Sequence, residues 1–152
     1  DLERAGLRSE PAGRQRRRSA VRGDDADASP GRRLGSASPD RADFVFMEGT
    51  GTDDVLAEMK TGTLAYPEEG ATLVLNVPLI QLIPGNETLK LVLKGPGIES
   101  QSIVYIDGLN KSILEKLASV NQEFPLGVDS IITDKKNNIL CIPRSNSFSW
   151  TL

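Results

Sequence analysis

A regular pattern of apolar and polar positions begins at Phe44, where Phe44-Val45-Phe46-Met47 forms a short run of strand character. Thr52 then fits a helix N-cap, with Asp53 and Asp54 in the first turn, Val55, Leu56 and Met59 on one face and Gly62 just past the end. From Thr72 to Val77 the alternation puts Leu73, Leu75 and Val77 on one side, and the apolar Val74 on the other predicts a strand buried on both faces. Leu89 to Leu93 repeats that pattern. Pro78, Pro84 and Gly85-Asn86 make the stretch between these strands a loop or hairpin arm, whose Leu79, Ile80, Leu82 and Ile83 are expected to pack against something. Gly95-Pro96-Gly97 breaks the second strand, and Ser102 to Ile106 resumes extended chain. Asn110 opens a helix with Ile113, Leu114, Leu117 and Val120 on one apolar face. A turn at Phe124-Pro125-Leu126-Gly127 leads into a strand from Val128 to Thr133, and Asp134-Lys135-Lys136-Asn137-Asn138 joins it to Ile139–Ile142 as a hairpin. Strands interspersed with helices predict an α/β fold, a mixed β-sheet flanked by helices.

Ahead of Phe44 the pattern is missing. Residues 1–43 hold no aromatic residue, no isoleucine and three leucines. Such a stretch cannot bury enough apolar surface to offset an ordering cost of about 1–2 kcal/mol per residue, so disorder is expected there. Ten of the eleven arginines lie at or before Arg41, whereas all seven lysines lie at or after Lys60. The chain therefore divides into an Arg/Gly/Ser/Pro-rich segment, 1–43, and a folded part, 44–152. The abrupt switch in usage, with Asp rather than Met first, reads as a truncated or frame-shifted reading frame or a joined fragment. The folded part is then expected to be an incomplete sheet with open edges and uncovered apolar surface.

Charge and chemistry narrow the function. Residues 44–152 carry eight basic and thirteen acidic side chains, which argues against a nucleic-acid surface. The cluster Arg14-Gln15-Arg16-Arg17-Arg18 is followed by Asp24, Asp25 and Asp27 with no aromatic interleaved for base stacking. No apolar run approaches the roughly 20 residues that span a bilayer, so a cytoplasmic protein without membrane contact is expected. Cys141 is the single cysteine, and its setting in Ile139-Leu140-Cys141-Ile142 reads as a buried small hydrophobe. The absence of histidine excludes His-activated nucleophiles and His-containing zinc sites, and no metal or cofactor is expected.

Among candidate sites, Gly49-Thr50-Gly51-Thr52 has the look of a phosphate-binding turn, but Asp53 and Asp54 already answer the helix dipole and would repel a phosphate. Gly95-Pro96-Gly97 lacks the Pro96 donor that a phosphate cradle would use and reads as a tight turn. Glu68 and Glu69 are adjacent, point to opposite faces in extended chain and read as loop charges. Arg144 is the remaining candidate. Its guanidinium matches the oxygens of a phosphate or phosphonate in two-pronged geometry, the alternatives being a salt bridge to Asp129 or a contact to a partner protein.

Phe124-Pro125-Leu126-Gly127-Val128-Asp129, followed by Ile142-Pro143-Arg144, is the most informative stretch. With Gly62-Thr63, Pro67-Glu68-Glu69-Gly70-Ala71-Thr72 and Gly95-Pro96-Gly97-Ile98, it resembles the C-terminal half of the PhnH phosphonate metabolism proteins, a family of components of the bacterial carbon-phosphorus lyase core complex. The resemblance starts at Asp43 or Phe44 and runs to Arg144, and residues 1–43 look like nothing in the family. It implies part of a fold like that of pyridoxal-phosphate-dependent transferases, without that cofactor. Gly95, Gly97, Pro125, Gly127 and Pro143 enter as structural motif positions, and Arg144 with Asp129 as ligand or partner contacts. The function implied is that of an accessory subunit, partnered by the other core subunits and homodimeric within the complex. That complex forms ribose 1-phosphonate 5-triphosphate from a nucleoside triphosphate and an alkylphosphonate. The rival readings are a stand-alone phosphonate or nucleotide transferase using Arg144 and Asp129, and a nonfunctional fragment of the subunit.

Overall fold

The computed structural model describes residues 38–152. The disorder expected for 1–37 and the basic cluster at 14–18 lie outside the described residues. Residues 38–43 already belong to the fold: the Arg41 amide donates to the Ser38 carbonyl, Ala42 is buried, and Asp43 pairs with Lys60. The folded part therefore begins ahead of the Phe44 boundary.

Eight strands and two helices follow: β1 (Phe44–Glu48), α1 (Asp54–Glu58), β2 (Thr72–Val77), β3 (Leu79–Gln81), β4 (Leu89–Lys94), β5 (Ser102–Asp107), α2 (Lys111–Val120), β6 (Asp129–Asp134), β7 (Ile139–Ile142) and β8 (Ser147–Thr151). They build two four-stranded sheets rather than the single mixed sheet expected. The first, in the order β1-β2-β6-β7, is parallel across β1, β2 and β6 and antiparallel at β7. The second, β3-β5-β4-β8, is antiparallel throughout. Alternation announces strands but not their partners, and pairing here is mostly between segments far apart in sequence. This two-sheet arrangement does not support the transferase-like architecture that the family resemblance implied.

One apolar cluster lies between the layers. The inner face of the first sheet supplies Val45, Met47, Leu73, Leu75, Val77 and Ile132, all at most 5 % exposed. The second sheet contributes Leu89, Leu91, Leu93, Val104 and Ile106, with Phe148 and Trp150 packed against them. Helix α2 buries Ile113, Leu114 and Leu117 and packs on α1, which buries Val55 and Leu56. At about 25 cal/mol per Å² of apolar surface, each such side chain contributes roughly 1.5–3 kcal/mol, which makes this cluster the main source of stability. On its outer side the second sheet presents Gln81, Tyr105, Lys90 and Thr151 in one row and Ile103, Val92 and Ser149 in the next.

Several expectations are corrected. Strand β2 is fully buried on its inner face only, for Thr72, Val74 and Asn76 are part-exposed. Helix α1 is a single short turn whose N-cap position is Asp53 rather than Thr52, with no side-chain capping bond, and Met59 is already extended three residues before Gly62. Of the four apolar residues in the β2–β4 connection, Ile80 is buried in β3, whereas Leu82 and Ile83 stand 77 % and 74 % exposed. Cys141 is exposed: β7 is an edge strand whose alternation turns Leu140 and Ile142 inward and Ile139 and Cys141 outward. Strand β8 has no counterpart among the sequence expectations, although Ser147-Phe148-Ser149-Trp150-Thr151 alternates cleanly.

Candidate functional site

Asp129 opens β6 and Arg144 follows directly on β7 and Pro143, so the antiparallel register that pairs Ser130 with Ile142 sets them side by side at the open end of the hairpin. The contact is double. The Arg144 amide donates to Asp129 Oδ1 at 2.8 Å, and the guanidinium donates to Oδ2 from Nε at 3.2 Å and from Nη2 at 2.7 Å. Nη1 turns the other way and donates to the Pro67 carbonyl at 2.7 Å, in the short 3-10 turn Pro67–Glu69. Arg144 thereby joins the end of β7, the start of β6 and the turn that precedes β2. Its side chain is only 12 % exposed and that of Asp129 40 %. Burial pushes the Asp129 carboxyl up, but the side-chain and backbone hydrogen bonds from Arg144 and its positive charge outweigh this and hold it below the usual carboxylate range.

The other motif residues gather at the same corner. The Gly127 amide donates to the Thr61 carbonyl at 2.9 Å. The Val128 amide donates to Asn121 Oδ1 at 2.7 Å, and Asn121 Nδ2 donates back to the Val128 carbonyl, which ties the end of α2 to the entry of β6. Gly127 adopts φ +142°, and any side chain there would run into Asn121 Oδ1, so only glycine fits. At Gly70 a Cβ would meet Arg144 Nη1 at 2.5 Å and the Gly127 carbonyl at 2.6 Å. The Phe124–Pro125 peptide is cis and lies in the same connection. The Pro143 carbonyl accepts the Asn146 amide at 2.9 Å, turning the chain toward β8, and Gly95 lies against Asn146. Gly97, by contrast, faces open space and serves the β4–β5 turn through φ +84°.

This corner stands at the amino ends of the parallel strands β2 and β6. Ligands of open α/β sheets bind instead at the carboxyl ends, where loops and helix starts converge. At that opposite end the Gly49–Gly51 loop is closed on α2: the Asn110 amide donates to the Gly49 carbonyl at 2.8 Å, and Asn110 Nδ2 donates to the Gly51 carbonyl at 3.3 Å. With a helix of five residues behind it and Asp53 and Asp54 at its start, the loop is not built as a phosphate cradle. Glu68 and Glu69 lie in the 3-10 turn, whose Pro67 carbonyl receives Arg144. Among the described residues no three His, Cys, Asp or Glu side chains are placed to hold a metal ion.

Sequence reasoning misses one polar centre. Asp134, at the end of β6, is 7 % exposed and accepts four hydrogen bonds, from the amides of Ile80, Lys136 and Asn138 and from Asn138 Nδ2. The signal available is an aspartate opening a hairpin with an asparagine four residues on, the usual composition of a turn.

Comparison with known proteins identifies the family. Residues 33–149 match the family model described as bacterial phosphonate metabolism protein (PhnH). The chain belongs to that family. The match starts ahead of Asp43, so the family resemblance reaches into the segment whose composition looks foreign to it, and it continues past Arg144 through most of β8. A relative named putative C-P lyase subunit protein HtxG, from Stutzerimonas stutzeri, is 34 % identical over 116 residues, covering 75 % of this chain and 55 % of its own length. The alpha-D-ribose 1-methylphosphonate 5-triphosphate synthase subunit PhnH of Rhizobium meliloti (strain 1021) is 29 % identical over 106 residues, covering 70 % and 50 %. The chain thus spans about half the length of the curated relatives it matches. No helix among the described residues is long and apolar enough to cross a membrane.

Proposed function

We propose that this chain acts in phosphonate metabolism as an accessory subunit of a carbon-phosphorus lyase complex, contributing surfaces for assembly rather than reacting groups. What carries this reading is that both relatives are themselves named as subunits, one of a C-P lyase and one of a synthase of ribose 1-methylphosphonate 5-triphosphate. The internal use of Arg144 supports it. A guanidinium that receives a substrate oxyanion needs its two-pronged edge free, and here that edge is taken by Asp129 while Nη1 is taken by Pro67. The motif that identifies the family is therefore read as scaffold. Leu82 and Ile83, side by side and exposed on the β3–β4 connection, are the apolar loop through which a neighbouring subunit is engaged. A homodimer within the complex and a cytoplasmic location belong to the same proposal.

The experiment is co-expression of the tagged chain with the other subunits of the Rhizobium meliloti synthase. Recovery of those subunits with the chain, and its loss in Leu82→Asp/Ile83→Asp, is the expected result. Assembly of the other subunits while the chain elutes alone would remove the proposal. Turnover of ATP and methylphosphonate by the purified chain alone would replace it with an enzyme.

A further inference from the structure

Three large apolar side chains stand in water at the corner that carries the family motif. Leu64, Tyr66 and Phe124 are 78 %, 58 % and 64 % exposed. They lie on two loops tied together backbone to backbone. The Thr63 and Tyr66 amides each donate to the other's carbonyl, which closes the first loop, and the Gly127 amide of the second donates to the Thr61 carbonyl at 2.9 Å. The second loop turns through a 2.9 Å bond from the Leu126 amide to the Glu123 carbonyl, which sets Phe124 within the turn. A single exposed apolar residue is ordinary, but three on adjoining loops mark a surface for interaction.

The free charge around these side chains has one sign. Glu68 and Glu69 follow Tyr66 in the 3-10 turn, Glu123 precedes Phe124, and all three are exposed. No cation among the described residues pairs with any of them, since Lys60 is engaged by Asp43 and Arg144 by Asp129. Helix α2 ends here as well, with Asn121 bonded to Val128, and brings the negative pole of its dipole. Carboxylates beside aromatic rings suit a guanidinium, which pairs with the first edge-on and stacks on the second. The charges of the two parts of the chain are opposed. Residues 38–152 carry nine basic and fifteen acidic side chains, whereas residues 1–37 carry nine arginines and six carboxylates. Within that segment, residues 11–23 hold Arg14, Arg16, Arg17, Arg18 and Arg22 and no carboxylate.

The chain enters the fold at this same corner. Strands β1, β2 and β6 begin side by side, with Phe44 opposite Thr72 and Thr72 opposite Asp129. Just ahead of them the Asp43 carbonyl accepts the Thr72 amide, and the Asp43 carboxylate holds Lys60, the neighbour of Thr61. Twenty positions separate Arg18 from Ser38, and a coil of that length spans about 25 Å. We propose that the arginine-rich stretch 14–22 docks on the surface formed by Leu64, Tyr66 and Phe124, its guanidinium groups stacked on the two rings and paired with Glu68, Glu69 and Glu123. Each exposed ion pair is weak by itself. Tethering decides the outcome: it raises the local concentration of the stretch to the order of 1 mM, so contacts with an intrinsic Kd of about 1 mM keep it bound half of the time. The inference needs only this chain and does not rest on the complex proposed above.

The test is paramagnetic broadening in the full chain. Cys141 is the single cysteine and is exposed, so Cys141→Ser with Ala20→Cys leaves one thiol, next to the arginines, for a nitroxide. Amide signals of the isotope-labelled protein are compared with the nitroxide oxidised and reduced. At low salt, the Leu64, Tyr66, Glu123 and Phe124 amides are expected to lose at least about half of their intensity, and Asp53 and Asp54, after the carboxyl end of β1, to keep theirs. The loss should vanish in Arg14→Ser/Arg16→Ser/Arg17→Ser/Arg18→Ser/Arg22→Ser, in Glu68→Gln/Glu69→Gln/Glu123→Gln, and in about 0.5 M salt, where exposed charges are screened. Undiminished signals on both loops, or equal broadening at Asp53 and Asp54, would overturn the inference. Broadening that persists in the glutamine variant would overturn it too. So would equal broadening when the nitroxide is carried by a second, unlabelled copy mixed with the isotope-labelled chain, which would assign the surface to contact between copies.

Discussion

Asp134 and Ile80 join the two sheets: the Ile80 amide of β3 donates to Asp134 Oδ2 of β6 at 2.9 Å. Asn138 completes the link, donating from Nδ2 to that same oxygen at 2.8 Å and to the Ile80 carbonyl at 3.2 Å. The hairpin turn that follows β6 thus uses its side chains to hold the neighbouring sheet in register. Burial pushes the Asp134 carboxyl up, and the bonds from Ile80, Asn138 and Lys136 overcome it and bring its pKa from 3.8 down to about 2.

Acid is therefore expected to weaken the junction between the sheets. A carboxylate with a lowered folded pKa adds stability that is present in full above its unfolded value and disappears as pH falls through the folded value. For Asp134 that window runs from about 4 down to about 2, and the lowered Asp129 acts in the same direction. Urea midpoints measured from pH 6 to pH 2 are expected to fall steeply in the acid range. Asp134→Asn should start lower and lose less over that range, and parallel curves for the two proteins would contradict this origin.

Asn110 has two tasks at the start of α2. Its Oδ1 accepts the Ser112 amide at 3.1 Å, which caps the helix, and its Nδ2 holds the Gly51 carbonyl. Asn110→Ala is expected to cost about 1 kcal/mol for the cap and somewhat more for the loop. Asn110→Ser should recover the cap alone. Chemical denaturation of the three proteins checks the order, and equal stability of the alanine and serine variants would show that the cap contributes nothing.

Gly70 is expected to tolerate no side chain, because a methyl group there meets both the Arg144 guanidinium and the Gly127 carbonyl. Gly70→Ala should cost about 1–3 kcal/mol by overpacking. Its effect should shrink by at least about 0.5 kcal/mol in an Arg144→Ala background, since the displaced group is then gone. Strict additivity in that cycle would place the strain elsewhere.

Much of the fold is legible in the sequence, and the reason is local. The β4, β5 and α2 segments follow from side-chain periodicity and the Asn110 cap, and the β6–β7 hairpin from its turn residues. Pairing is not legible, because nothing in Leu79-Ile80-Gln81 announces that its partners are Tyr105–Asp107 and the distant Asp134. Cys141 reads wrongly as buried because apolar neighbours in a strand do not reveal which face is inward. At the candidate site, proximity of Asp129 to Arg144 follows from the hairpin alone. The third member, the Pro67 carbonyl, lies 77 positions from Arg144 and is a backbone atom, which carries no signature in residue type.

The scaffold role of Arg144 is the central structural claim behind the proposed function. Breaking a largely buried pair leaves Asp129 and the Pro67 carbonyl without their partner, which should lower stability by about 2–3 kcal/mol in Arg144→Ala, tempered by the partial exposure of Asp129. Equilibrium unfolding of Arg144→Ala, Asp129→Ala and the double variant measures this directly. The predicted result is a loss in each single variant and a double variant little worse than Arg144→Ala. Unfolding of Arg144→Ala at the wild-type midpoint would contradict it and return Arg144 to the role of a ligand contact.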